Sequence, residues 1–313
     1  MTLRNILAIL AIAALIGGCR ADVPAVSQDR PANTSATRIA FDDNRAFSDL
    51  TAQCAFGPRV PGTAAHQKCA AYIEDQLKTV VDQVRTQDFT YQDPHKKISI
   101  PMTNIFGVIN PAASRKIMLC AHWDTRPTAD QDFDPANRSK PIPGADDGAS
   151  GVAVLLELAR ALHNTHPSAC VILAFWDGED WGPGEDNMYI GARYFAIHPG
   201  ALRPTESVLI DMIGQKDLTI PLERTSDDRF PDLCRKIWAI AAQMGYGANF
   251  PQRVDYQISD DHIPLIDAGI PSIDLIDFNY APWHTLGDTP DKCSPTSLGI
   301  VGRVLGAYAL SGS

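Results

Sequence analysis

The chain has no Cys-x-x-Cys pair, so a cysteine-ligated metal site is not expected despite seven cysteines. Nor is there a surplus of positive charge. With 27 Lys and Arg against 37 Asp and Glu, the formal net charge of -10 argues against a nucleic-acid-binding surface. A small substrate is left open, because local charge at a site can oppose the global sign. The apolar run Ile6–Ile16 falls short of the ~20 residues that a bilayer-spanning helix needs. There is no internal repeat and no low-complexity break beyond about residue 40, so the remainder reads as a single domain.

What is present suffices for a sizeable core: 313 residues, 45% of them hydrophobic and 20% charged. The N-terminus has the layout of a signal peptide, with Arg4, the aliphatic run and then Gly17-Gly18-Cys19. Leu15-Ile16-Gly17-Gly18-Cys19 resembles a bacterial lipobox, so residues 1–19 read as a lipoprotein signal with its lipobox Cys, cleaved before Cys19, which is acylated as the new N-terminus. An ordinary cleaved signal or an uncleaved anchor is the alternative. Arg20, where an Asp would favour inner-membrane retention in some bacteria, leans towards an outer-membrane, periplasm-facing anchor. Residues 20–40 are rich in Ala, Ser, Thr, Pro and Asp and read as a flexible tether, and 41–313 as the folded domain. Export permits disulfides. Cys54 and Cys69 flank a Gly/Pro-rich turn and are expected to pair, whereas Cys120 and Cys170 sit in apolar strand-like runs and are expected to be buried thiols.

Hydrophobic period places helices at 64–80, 148–163, 187–197, 230–244, 263–268 and 295–310, and strands at 84–91, 103–108, 117–121, 169–176, 207–210 and 272–276. Alternating strands and helices imply an α/β domain with a mostly parallel, twisted mixed sheet flanked by helices on both faces. The early 84–108 pair is expected to be an antiparallel edge hairpin.

Ligands of such sheets gather where strands end. Here four strand ends deliver metal-type side chains: His122-Trp123-Asp124, Asp177-Gly178-Glu179-Asp180, Asp211, and the segment from Asp277 to Trp283-His284-Thr285. Gly144-Ala145-Asp146-Asp147-Gly148 opens the helix between the first two. Singly, each has a plain structural reading. Asp146 or Asp147 suits a helix cap, Glu179-Asp180 a solvated turn, and His284 a loop histidine. Asp211 is harder to dismiss, because an unpaired carboxylate after a buried strand is costly. Jointly, two His and several carboxylates suit zinc with an open coordination position.

In order, His122-Trp123-Asp124-Thr125, Gly144 to Gly151, Asp177-Gly178-Glu179-Asp180, Leu209-Ile210-Asp211-Met212 and Trp283-His284-Thr285 resemble the five motif blocks of the co-catalytic zinc aminopeptidases and their glutaminyl-peptide cyclotransferase relatives. The similarity runs from about Ala52 to Ala309 and implies their three-layer α/β/α fold. By resemblance, Asp147, Asp180 and His284 hold the zinc common to both branches. His122 and Asp211 complete a second site, if present, with Asp147 bridging. Glu179 resembles the general acid/base. Residue 180 is Asp where many relatives have Glu, so its shorter arm shifts the metal.

Three features lean towards the cyclotransferase, which closes N-terminal Gln of a peptide to pyroglutamate with loss of ammonia. Ser259-Asp260-Asp261-His262-Ile263-Pro264 resembles its Asp-Asp-His-Ile-Pro block and implies a proton-network role for Asp260. Asp177-Gly178-Glu179-Asp180-Trp181-Gly182 resembles the bacterial forms of the animal-type cyclases, and suggests Trp181 as a second substrate-binding aromatic. Trp283 fits an aromatic wall for a small side chain, or plain core packing. Asp260-Asp261 alternatively caps the short 263–268 helix, with His262 as a support. The second reading is a two-zinc aminopeptidase acting on peptide N-termini through activated water, since every ligand position is filled. The third is a non-catalytic binding protein. The Pro/Gly/Asp-rich segments 126–143 and 182–187 are expected to border the mouth of the site.

Overall fold

The computed structural model describes residues 39–163 and 165–311. The signal, the lipobox with Cys19 and almost all of the tether lie outside the described residues.

The main sheet has six strands in the order β1-β2-β4-β3-β5-β8. These are β1 (Gln83–Gln92), β2 (Ser99–Ile109), β3 (Lys116–His122), β4 (Cys170–Trp176), β5 (Glu206–Asp211) and β8 (Ser272–Ile276). β1 and β2 form the expected antiparallel edge hairpin, and β2 joins β4 antiparallel. The pairs β3–β4, β3–β5 and β5–β8 are parallel, so the sheet is mixed and mostly parallel. A separate parallel pair joins β6 (Leu222–Glu223) and β7 (Val254–Tyr256).

Strand alternation sorts the side chains into two cores, one on each sheet face. Ile117, Leu119, Val171, Leu173, Phe175, Val208 and Ile210 pack against α1 (Asp43–Ala55), α2 (Ala64–Leu77), α3 (Ala149–Leu162), α6 (Pro231–Gln243) and α8 (Pro295–Leu310). Met118, Cys120, Ile172, Ala174 and Leu209 face the other way, against α4 (Ile190–Ile197) and α7 (His262–Asp267). The result is the three-layer α/β/α arrangement. A further short helix, α5 (Arg224–Arg229), precedes α6. α3 is buried on nearly every side. It lies close to the sheet because Gly151 has no Cβ, which would sit 2.7 Å from both Ala121 Cβ and the Ile210 carbonyl.

Four expectations need correction. The 64–80 helix ends at Leu77, and the 187–197 helix begins at Ile190 after a 3-10 turn over Glu185–Asn187. α1 has no counterpart in the periodicity. Its buried face includes Asp49 and Gln53, so its apolar stripe is thin. Asp49 there accepts hydrogen bonds from Tyr72 Oη at 2.6 Å and Arg160 Nη1 at 2.5 Å, which stands in for apolar packing. The Cys54–Cys69 disulfide does not form, and Cys54, Cys69, Cys120, Cys170, Cys234 and Cys293 are all free. The turn is instead held by the fully buried Arg59, whose guanidinium donates to the carbonyls of Trp123, Pro143 and Gly144 at 3.1, 2.9 and 2.6 Å. Burial pushes the Cys54 and Cys69 thiols up to about 11 and about 12, so neither is a ready thiolate. Among the described residues, no helix is long and apolar enough to cross a membrane.

Candidate metal centre

Parallel pairing brings the chemistry to one edge of the sheet. His122 ends β3 level with Trp176 of β4, and Asp211 ends β5 level with Ile276 of β8. Glu179 and Asp180 lie in the turn after β4, Asp147 in the turn before α3, and His284 in the loop beyond β8. His284 holds a left-handed backbone (φ 53°), as does Met212 after Asp211 (φ 49°). Non-glycine residues seldom adopt this conformation, and it persists only where the surroundings enforce it.

The five ligand-type residues form two triads sharing Asp147. His122 Nε2 lies 3.1 Å from Asp147 Oδ1 and 3.2 Å from Asp211 Oδ1. His284 Nε2 lies 3.6 Å from Asp147 Oδ2 and 3.4 Å from Asp180 Oδ1. Each carboxylate oxygen of Asp147 therefore faces a different triad, and all five residues are buried. Tetrahedral ligands at about 2.1 Å from zinc lie about 3.4 Å apart, and the observed separations bracket that figure. Asp147 Oδ2 and Asp180 Oδ2 find no hydrogen-bond partner among the described residues. Buried carboxylate oxygens without partners are costly unless a cation meets them. The donor set fits zinc.

Electrostatics agree. Burial lowers the His122 imidazole, but Asp211, Asp124 and Asp147 outweigh it and carry it well above its ordinary value. His284 is likewise lowered by burial, yet Asp180, Asp130 and Asp147 raise it to about 9. The same carboxylate field that raises both rings also favours a bound cation.

Supporting residues fix the ligands. The Asp124 carboxylate accepts the amides of Glu179 and Asp180 at 3.1 and 3.2 Å, and lies 3.5 Å from His122 Nδ1. Asp130 lies 3.4 Å from His284 Nδ1. Arg126 joins Asp130 to Asp180, at 2.9 and 2.7 Å. Carboxylates on the far nitrogen of a ligating His set its tautomer and orientation. Asp288 accepts the amides of Asp146 and Asp147 at 2.9 and 3.3 Å and so shapes the turn carrying the shared ligand. Neither Asp146 nor Asp147 caps α3, whose cap residue is Gly148 with no side-chain bond. Asp146 Oδ1 instead accepts the Gly214 amide at 2.6 Å. Gly148 leaves room for a ligand, since a Cβ there would sit 2.6 Å from His122 Cε1. Gly148→Ala is therefore expected to displace the His122 ring and destabilise the fold by about 1–3 kcal/mol, with weaker metal uptake. Thermal unfolding and metal titration of the variant check this, and wild-type values in both would show that the ring tolerates the crowding.

Four of the five ligand-type residues, Asp147, Asp180, Asp211 and His284, line a narrow cleft together with Glu179, Asp260 and Trp283. The Trp283 ring stacks on that of His284, with centroids 3.8 Å apart, and meets Phe278 edge-on at 4.9 Å. It is partly buried, lining the cleft while packing against the Met212, Ile276 and Tyr280 cluster. Burial, the negative charge of Asp180 and that of Asp260 raise Glu179 well above the ordinary carboxyl value, although His122 opposes them. Burial and the neighbouring Asp211 and Asp261 do the same for Asp260. Asp261 is the α7 cap residue without a side-chain cap bond, and Asp260 Oδ1 accepts the Asp261 amide at 2.6 Å, so neither carboxylate caps α7. His262 is fully buried, 3.5 Å from Glu223 and 4.0 Å from Asp274, in support of the loop rather than in the cleft.

Trp181 does not reach the site. It packs with Ile100, Met102 and Ile190, donates its indole N–H to Asp93 at 2.8 Å and lies under Lys96. The turn through Gly178 and Gly182, with φ of 72° and 39°, aims it away from Glu179 despite their nearness in sequence. Arg126, Asp130 and Asp288 are the functional residues that sequence reasoning missed. The 126–143 segment was expected at the mouth, and it does adjoin His284, where the Gln131 amide donates to the His284 carbonyl at 3.2 Å.

Donor type, spacing and position at the C-terminal edge of a three-layer sheet together define a zinc-dependent enzyme. The chain belongs to Peptidase family M28, whose model matches residues 104–309. It is 28% identical over 296 residues to the glutaminyl-peptide cyclotransferase of Bos taurus, covering 81% of this chain and 77% of that one. Among solved structures, the Bacteroides thetaiotaomicron glutaminyl cyclase bound to N-acetylhistamine superposes with a TM-score of 0.85 at 32% identity, over 88% of this chain and all of that one. A Zn-dependent exopeptidase from Parabacteroides distasonis gives 0.84 at 32% identity, over 87% and 99% of the two chains.

Proposed function

We propose that the chain is a zinc-dependent glutaminyl-peptide cyclotransferase that converts the N-terminal Gln of peptides to pyroglutamate and releases ammonia. The observation that carries this reading is the pairing of two buried carboxyl groups, Glu179 and Asp260, across one narrow cleft walled by Trp283. Cyclisation needs a group that moves a proton from the attacking amine to the leaving nitrogen, and a second that steadies that nitrogen. Both must face a space the size of one side chain.

In this reading Asp147, Asp180 and His284 hold the ion, and His122 and Asp211 offer a second position through the shared Asp147. When bound there, zinc polarises the γ-carbonyl of the substrate Gln. The Trp283 ring packs against the substrate side chain and excludes water from it. Glu179 accepts the proton of the α-amine as its nitrogen bonds to Cδ, and returns it to the amide nitrogen as the Cδ–N bond breaks and ammonia leaves. Asp260 accepts a hydrogen bond from that departing nitrogen. Nucleophile and carbonyl belong to one residue, so alignment within the cleft supplies much of the rate.

A two-metal aminopeptidase is the second reading. The presence of both complete triads favours it, with Glu179 then accepting the proton of an attacking water. A non-catalytic binding protein is disfavoured by the intact donor set. Ammonia release from a peptide with N-terminal Gln tests the proposal. The expected result is release that a chelator abolishes and added zinc restores. Chelator-resistant or absent release, with free N-terminal amino acids appearing instead, would support the aminopeptidase.

We also propose that Cys19 is acylated and anchors the exported enzyme to the cell envelope, outer membrane rather than inner. The lipobox-like Leu15–Cys19 and the tether-like 20–40 segment support this. Labelled palmitate should enter the protein and be lost in Cys19→Ala; equal labelling of both would remove the proposal.

A further inference from the structure

Ser259 borders two hollows. On one side it lines the cleft with Glu179 and Asp260. On the other it lines a groove of about 610 Å³ between α4 and α7, with Tyr189, Arg193, Ile197, Ile263 and Pro264. The chain passes from one hollow to the other twice. Met188 faces the cleft and the next residue, Tyr189, faces the groove, while Asp260 faces the cleft and Ile263 the groove. Tyr189 Oη donates to the Ser259 carbonyl at 2.7 Å and ties the two rims together.

The cleft itself measures about 50 Å³, room for roughly four water-sized groups. That admits one side chain and not the residues that follow it in a peptide. The groove has a surface suited to those residues. Ile197 is 75% exposed, beside the partly buried Ile263 and Ala268, and apolar side chains along a concave surface offer contact to a ligand. Its charged lining is Glu185 and Asp267 against Arg193, a net excess of one negative charge.

We propose that this groove binds the substrate chain downstream of its N-terminal residue, and prefers apolar side chains accompanied by a basic residue in that part of the peptide. The proposal rests on the peptide-directed reading above. It makes the α4–α7 groove a determinant of which N-termini are processed, separate from the chemistry in the cleft.

The test compares Gln-Gly with Gln-Gly-Leu-Leu-Lys-Ala on the zinc-loaded wild type, Ile197→Asn and Ala268→Gln, each first shown to unfold at the wild-type temperature. Removing the apolar contact of one leucine is expected to lower kcat/KM on the hexapeptide about tenfold in either variant. Turnover of Gln-Gly should stay within twofold. Equal losses on both peptides, or none on the hexapeptide, would overturn the groove. In parallel, fluorescence anisotropy follows binding of the hexapeptide carrying a C-terminal fluorophore. If the wild type leaves Gln-Gly unreacted, the cyclase reading fails by itself and this binding decides the groove. Weaker binding to Ile197→Asn upholds a peptide site, and unchanged affinity removes it.

Discussion

Glu179→Gln is expected to lower turnover of an N-terminal Gln peptide by about 10²- to 10⁴-fold while zinc content stays at the wild-type level. The substitution keeps the shape of the side chain and removes only its capacity to carry a proton. Glu179 is 7% exposed and lines the cleft, and its amide is fixed by Asp124 at 3.1 Å, so the backbone should hold its course. Asp180, the adjacent ligand, is anchored by its own amide on Asp124 and by Arg126 at 2.7 Å. Metal binding and catalysis should therefore separate. Steady-state rates and metal analysis on the same sample check the claim. Retained turnover would remove Glu179 from the proton-transfer role. Loss of zinc along with activity would instead make it part of the metal's support.

His284→Ala is expected to act on the metal itself. The ring faces Asp147 and Asp180 through Nε2, has Asp130 3.4 Å from Nδ1, and carries Trp283 stacked on its face. Removing it takes one of three donors from its triad and leaves the carboxylates of Asp147 and Asp180 facing one another. Outer partners of a ligand already contribute about 10- to 100-fold in metal affinity, so loss of the ligand should exceed that range. Zinc binds the folded chain, and so raises the unfolding temperature of the wild type; this gain should shrink or vanish in the variant. Wild-type zinc content together with a full thermal response would show that the ligand assignment is wrong. The Trp283 wall should also loosen, raising KM in any residual activity.

The cluster of metal-type residues was legible in the sequence because parallel pairing sends every strand's C-terminal end to one edge, while its division into two triads came from the resemblance to the zinc aminopeptidases. His122, Asp180 and Asp211 follow apolar runs whose ends are easy to see, and Asp147 and His284 arrive in loops between such elements. Arg126 and Asp130 were not legible as ligand supports. They belong to an irregular segment whose side-chain directions are set by tertiary packing, which no period encodes. Trp181 failed for a related reason. It is two residues from Glu179, but glycines with positive φ turn it towards Asp93 and Met102. Arg59 likewise occupies the turn where a disulfide was expected, because a buried guanidinium can satisfy three carbonyls at once. α1 was missed where polar bonds replaced apolar contacts on its inner face. In each case the signal that failed was local and the decisive interaction was long-range.

The central claim is that the cleft joins the substrate's own amine to its side chain instead of adding water. Turnover in ¹⁸O-labelled water, followed by mass spectrometry of the intact peptide, addresses it directly. The account predicts a peptide that has lost ammonia, retains its N-terminal residue and carries no label. A shortened peptide together with a free amino acid bearing ¹⁸O in its carboxylate would contradict it and establish hydrolysis at the same centre.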